Sequence, residues 1–160
     1  MLGFRAGEYM HGVSVRGLRV VAGIVALSVA GVHLLHPSHG VPGLVQWLEI
    51  GFIGDPRPLL FVTAGFLILS GVGVGYFGIY RQTVYLGGIA ICLGFLGGFA
   101  VWHTVLDHGA FWPYIEPQGH GGAPLVVMYE HLRIDRLLLI SKLLESTLVV
   151  LLTVLYRIDR

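Results

Sequence analysis

Eight histidines in 160 residues, set beside ten Lys/Arg and nine Asp/Glu, are the groups in this chain best suited to chemistry. His33, His36 and His39 form one stretch, His103 and His108 a second, and His120 and His131 follow further on. Only His11 lies well apart from them. His33 and His36 are spaced to share one face of a helix, and Pro37 then ends that helix and turns His39 back over it. His103 and Asp107 also share a helical face, with His108 adjacent, while Glu130 and His131 are expected to open the last helix near Asp135. Imidazole together with carboxylate is the usual ligand set for first-row transition metals. The candidate ligands are therefore His33, His36, His39, His103, Asp107, His108, His120 and His131, and the ion that suits them is Cu, Zn or Fe.

Two other functions fit the same residues. In a membrane redox subunit, His33 and His103 are the best pair to ligate haem b or to border a quinone. In a non-catalytic structural subunit of a membrane complex, the histidines and glycines serve packing and partner contact. Neither G-x-S-x-G nor H-E-x-x-H occurs, so no hydrolase motif is present, and whether the protein is an enzyme stays open. Cys92 is the only cysteine, which excludes an internal disulfide and any CxxC motif.

The elements that must position these groups are membrane helices. Hydrophobic residues make up 55% of the chain, charged residues 12%, and the mean hydropathy is +0.79. A soluble domain carries roughly 25% charged residues, so much of this surface faces lipid. Four apolar runs, at about 18–35, 59–80, 84–106 and 132–156, each approach the length needed to cross a bilayer. Backbone hydrogen bonds must close within each segment there, so the runs are helices. The expected fold is all-α: a single polytopic membrane four-helix bundle spanning 1–160, in the cell membrane. The first run lacks a signal-peptide cleavage site and is read as retained helix.

The connections differ. Residues 45–50 are expected to form a short interfacial helix, with Gln46 and Glu49 toward water. Arg81, Gln82 and Thr83 make a tight turn, and residues 107–131 form one long extracytoplasmic loop. Arg5, Arg16, Arg19, Arg81, Arg157 and Arg160 gather on one side against Arg57, Arg133 and Arg136 on the other. That bias places both termini in the cytoplasm and seven of the eight histidines on the outer face. The net charge of +1 gives no field for nucleic acid. The expected partners are the lipid bilayer and either further copies of the chain or other membrane subunits. Gly71 and Gly75, and again Gly94 and Gly98, are expected to let helices pack closely inside the bundle.

The last helix carries charges within its apolar stretch. Lys142 and Glu145 are three apart and fall with Asp135 on nearly one stripe. Charge at that depth is costly, so these groups are expected to face inward and pair, as a structural lock or as a proton or ion step.

From Arg19 to Pro113 the layout resembles the DoxX-type family of small four-helix membrane proteins. Arg19 opens the first helix, and Gly31-Val32-His33-Leu34-Leu35 closes it before a Pro/Gly loop. Pro56-Arg57-Pro58 leads into a glycine-rich second helix, Arg81 marks the turn, and the third helix ends near His103 and Phe111-Trp112. This resemblance implies a four-helix membrane fold linked to quinone-associated electron transfer or to membrane redox complexes.

Overall fold

The computed structural model describes residues 14–51, 55–110, 116 and 122–159, and every regular element among them is helical. Helix α1 covers Val15–Leu35, α2 Val41–Glu49, α3 Arg57–Tyr76, α4 Arg81–Thr104, α5 Pro124–Ile134 and α6 Arg136–Ile158. Four of these, α1, α3, α4 and α6, are long and apolar enough to cross a membrane. Local chemistry sets their ends. The Ser14 hydroxyl accepts the Gly17 N–H at 3.0 Å and caps α1. Pro58 sits in the first turn of α3, where its missing N–H costs nothing.

Helix α1 packs on α3 and α6, and α4 packs on α3 and α6, so the four spans form a closed ring of neighbours. At one end, the Arg19 guanidinium pairs with the Asp159 carboxylate, which also accepts the Tyr85 hydroxyl at 2.8 Å. Gln82 donates to the Asp159 carbonyl at 3.0 Å. This clamp ties the start of α1 and of α4 to the close of α6, which fixes their antiparallel sense. At the opposite end, α2 packs against α3, and α5 packs against α4 and α6.

The buried positions of α6 are Ser141, Glu145, Leu148, Leu152 and Leu155, a seam in alternating steps of four and three that keeps one face toward its partners. Across from it α1 buries Ala22, Ala26, Val29, Ala30 and His33. Small residues on α1 let leucines on α6 fill the centre. The core is thus aliphatic over most of its depth, and its last layer is polar: His33 with Ser141 and Glu145. A Cβ on Gly65 would lie 2.6 Å from Leu34 Cγ, so glycine there permits the close approach of α3 to α1.

Three expectations change. The fourth span begins at Arg136 and not at 132, because Asp135 leaves the helical conformation (φ −99°, ψ 101°) and caps α6 by accepting the Leu138 N–H at 3.0 Å. Asp135 is therefore an exposed cap and no partner of Lys142 and Glu145. Residues 107–131 are not one loop: they hold a 3-10 turn at Asp107–Gly109 and most of α5, so His131 closes α5 instead of opening the last span. Gly94 and Gly98 do not pack inside the bundle, since a Cβ on either would meet nothing within 4 Å. Gly71 and Gly75 do pack, with a Cβ 3.5 and 3.6 Å from Val84. The short helix expected over residues 45–50 is found as α2, which starts earlier, at Val41, and ends at Glu49 with Ile50 as its cap; it buries Gly43 and leaves Gln46 and Glu49 exposed.

Candidate metal centre

The histidines at the α4–α5 end converge. Rings of His103, His108 and His131 lie 4.5–5.0 Å apart, centroid to centroid. One ligand nitrogen from each falls within 4.8 Å of the other two, and all three residues are half-buried.

Each ring is oriented by its own element. His103 closes α4 and donates Nδ1–H to the Phe99 carbonyl one turn back, at 2.8 Å. His131 does the same on α5, donating Nδ1–H to the Val127 carbonyl at 2.8 Å. With Nδ1 protonated, both neutral rings carry their lone pair on Nε2. A hydrogen bond from the distal nitrogen to a carbonyl is how metal-binding histidines are commonly held. His108 reaches the group by a reversal of the chain. Asp107 and His108 adopt left-handed backbone conformations (φ 41° and 58°), followed by Gly109 at φ 87°. Asp and His tolerate this region better than most residues, yet it stores about 1–3 kcal/mol per residue. The turn is held by Gly109 N–H to the Leu106 carbonyl at 2.8 Å and by the Trp102 indole, which occupies the space a Cβ on Gly109 would need.

His108 Nε2 lies 3.1 Å from His131 Nε2. Two nitrogens bound to one tetrahedral ion at 2.0–2.1 Å stand about 3.3 Å apart. With His131 Nδ1–H committed to the Val127 carbonyl, His108 Nε2–H donates to the His131 lone pair. To bind metal, His108 must shift its proton to Nδ1, where Asp107 Oδ1 lies 3.8 Å away. Three neutral imidazoles leave a fourth coordination position for water, substrate or another side chain.

A second group frames this centre. Arg57 pairs with Asp55, and its guanidinium stacks on Trp102 at 4.6 Å from the ring centroid. His39 Nε2 lies 3.4 Å from Asp55. Burial alone would raise the Asp55 carboxyl, but hydrogen bonds from His39 and Arg57 outweigh it and hold the group well below the usual carboxylate range. His36 Nδ1 accepts the backbone N–H of Ser38 at 3.2 Å and of His39 at 3.1 Å. Burial, and then the neighbouring His39, push the His36 imidazole down from its usual value.

The expected ligands thus divide. His103, His108 and His131 come together, with Asp107 beside them. His36 and His39 belong to the Asp55–Arg57 group. His33 is fully buried and donates Nε2–H to Glu145, so it lies in a different cluster from His103, its expected partner for haem b. His120 lies outside the described residues. Lys142 and Glu145 pair as expected, at 2.7 Å. Sequence reasoning passed over the structural part of Arg57 and Trp102. The Pro-Arg-Pro entry and a tryptophan beside His103 were the available signals, and only folding shows that they touch.

The fold and this cluster define an all-α, membrane-spanning protein with a three-histidine group able to chelate a metal ion. No protein-family model matches the chain, and comparisons with curated proteins and with solved structures find no match.

Proposed function

We propose that this protein binds a transition-metal ion through Nε2 of His103, His108 and His131 at the extracytoplasmic face of the cell membrane, with both termini cytoplasmic. The carrying observation is that one ligand nitrogen from each of the three rings lies within 4.8 Å of the other two, while the Nδ1–H bonds to the Phe99 and Val127 carbonyls leave Nε2 of His103 and His131 as their ligand atoms. A histidine that served only to satisfy loop backbone would have no reason to meet two others. Neutral imidazoles suit Zn, Cu and Fe(II) alike, and the ion sits at a membrane face where it can be received from or passed to the outside. The arginine bias supports the outward placement. Kinship with DoxX-type proteins is part of the same proposal and is supported by the sequence layout of residues 19–113.

Equilibrium titration of the purified protein with Zn²⁺ tests the reading. One equivalent is expected to bind, and His103→Ala, His108→Ala and His131→Ala should each weaken it by at least about tenfold. His39→Ala, outside the cluster, should leave it unchanged. Equal affinity in all four variants contradicts the site. A cysteine placed at Ser38 should react with an impermeant reagent from outside the cell; labelling from the cytoplasm alone contradicts the orientation.

A further inference from the structure

The polar layer closing the core is a separate device from the metal centre. Glu145 is fully buried, and its Oε1 accepts from the Ser141 hydroxyl at 2.9 Å and from His33 Nε2–H at 3.1 Å. Its Oε2 accepts from Lys142 Nζ at 2.7 Å. Three donors on one carboxylate mark it as ionised. Lys142 supplies the balancing charge; it also donates to the Phe95 carbonyl at 3.3 Å and lies over the Phe95 and Phe99 rings at 5.8 and 5.7 Å.

A structural Lys–Glu pair is complete at this point, with zero net charge. The structure adds a third titratable group. His33 is 1% exposed, packed between Phe61 and Phe95, with ring centroids 5.0 and 4.4 Å away. Its Nε2 is committed to Glu145, and its buried Nδ1 has no hydrogen-bond partner among the described residues. Buried polar atoms are almost always paired. A neutral ring donating from Nε2 carries a bare lone pair on Nδ1, and one proton there produces an imidazolium whose other N–H already rests on a carboxylate.

We propose that His33, Glu145 and Lys142 form a proton-binding site within the membrane, the proton being taken up on His33 Nδ1. The step breaks no bond of the network: Nδ1 gains a proton, the His33–Glu145 hydrogen bond becomes an ion pair, and the cluster passes from zero to one positive charge. Among the described residues the ionisable groups around it are few. From α1 it is His36, which shares the Phe61 ring with His33. Helix α4 brings the Cys92 thiol within electrostatic range of Glu145 and Lys142. On α3 the facing group is Phe61, with Arg57 and Asp55 only at the helix entrance, where His39 also meets Phe61. Among the described residues no charged group other than Glu145 is bonded to the imidazole, so Glu145 must act as its counter-ion.

The test uses the full chain in lipid nanodiscs, labelled with ¹⁵N-histidine and held metal-free by a chelator. It is thereby independent of the three-histidine centre. The His33 resonances are assigned by their loss in His33→Gln. As pH is lowered across the range where imidazole titrates, from about 8 to about 5, His33 Nδ1 should change from bare to protonated. In Glu145→Gln it should stay bare over the same range. In Lys142→Met, with the competing cation gone, it should remain protonated to higher pH than in the native chain. A native His33 that never gains the proton overturns the proposal, as does protonation unchanged in Lys142→Met or undiminished in Glu145→Gln. If Glu145→Gln does not fold, the native titration and Lys142→Met decide the question.

Discussion

Replacing Glu145 by Gln while Lys142 stays in place is the perturbation that bears hardest on the fold. The carboxylate is fully buried and satisfies three donors, from Ser141, His33 and Lys142. Glutamine keeps the shape but offers one acceptor oxygen, and its NH₂ then faces either the lysine or the histidine as a second donor. Lys142, only 12% exposed, is left as a positive charge without its counter-ion. Breaking a buried pair in this way costs about 3–5 kcal/mol, equal to roughly two to four orders of magnitude in the unfolding equilibrium. Lys142→Met removes the lysine counter-ion of the carboxylate and should also destabilise, by less where a proton on His33 replaces the lost charge. The double substitution removes both charges and should recover at least about 2 kcal/mol of the summed loss, within the usual range for touching residues. The assay is reversible unfolding of all four proteins in one detergent, with helicity followed by circular dichroism. Coupling below about 0.5 kcal/mol, the level seen for independent sites, would refute the reasoning.

Four further expectations follow from the geometry. Gly109→Ala places a Cβ against the Trp102 indole at a left-handed position, so it should weaken Zn²⁺ binding by at least about tenfold in the same titration, with helicity retained. The His36 ring is held neutral in the fold below its usual value near 6.5. The unfolded chain therefore binds more protons as pH falls beneath that value, stability drops, and His36→Asn should flatten that acid limb in unfolding curves. Asp55 has the opposite chemistry but the same sign: its folded value lies well below the unfolded 3.8, so its contribution is complete above that value and is lost only on deeper acidification. Asp55→Asn should accordingly lower thermal stability at neutral pH, with a difference from the native chain that shrinks only below about pH 4. Arg19→Ala, which opens the clamp at the far end, should cost about 1 kcal/mol of stability and leave metal affinity unaltered.

The spans were legible because lipid imposes a crude rule, twenty or so apolar residues, that four segments meet. The inward pairing of Lys142 with Glu145 was legible for the same reason, since a charge in that segment has few places to go. The break at Asp135 was not. Leu132 and Ile134 continue the apolar pattern, and only the cap geometry shows that the chain turns there and that His131 belongs to a different helix. That single boundary decides the composition of the metal centre. His33 looked like a ligand by its spacing to His36, but its register on α1 carries it into the core seam opposite Glu145. The left-handed backbone at Asp107 and His108 left no trace in composition, although the Asp-His-Gly run contains residues that tolerate it. His103 and Asp107 share a helical spacing on paper, yet α4 has already ended at Thr104, so it is the turn and not the helix that gathers the ligands.

The central claim is that three imidazoles from α4, the turn after it and α5 hold one ion. X-ray absorption of the Zn²⁺-loaded native protein tests this most directly, read beside His131→Ala. The native protein should show three nitrogen ligands with imidazole scattering at about 2.0–2.1 Å, and the variant should lose one of them. A first shell with fewer than two imidazoles, or a spectrum unchanged by His131→Ala, would contradict it.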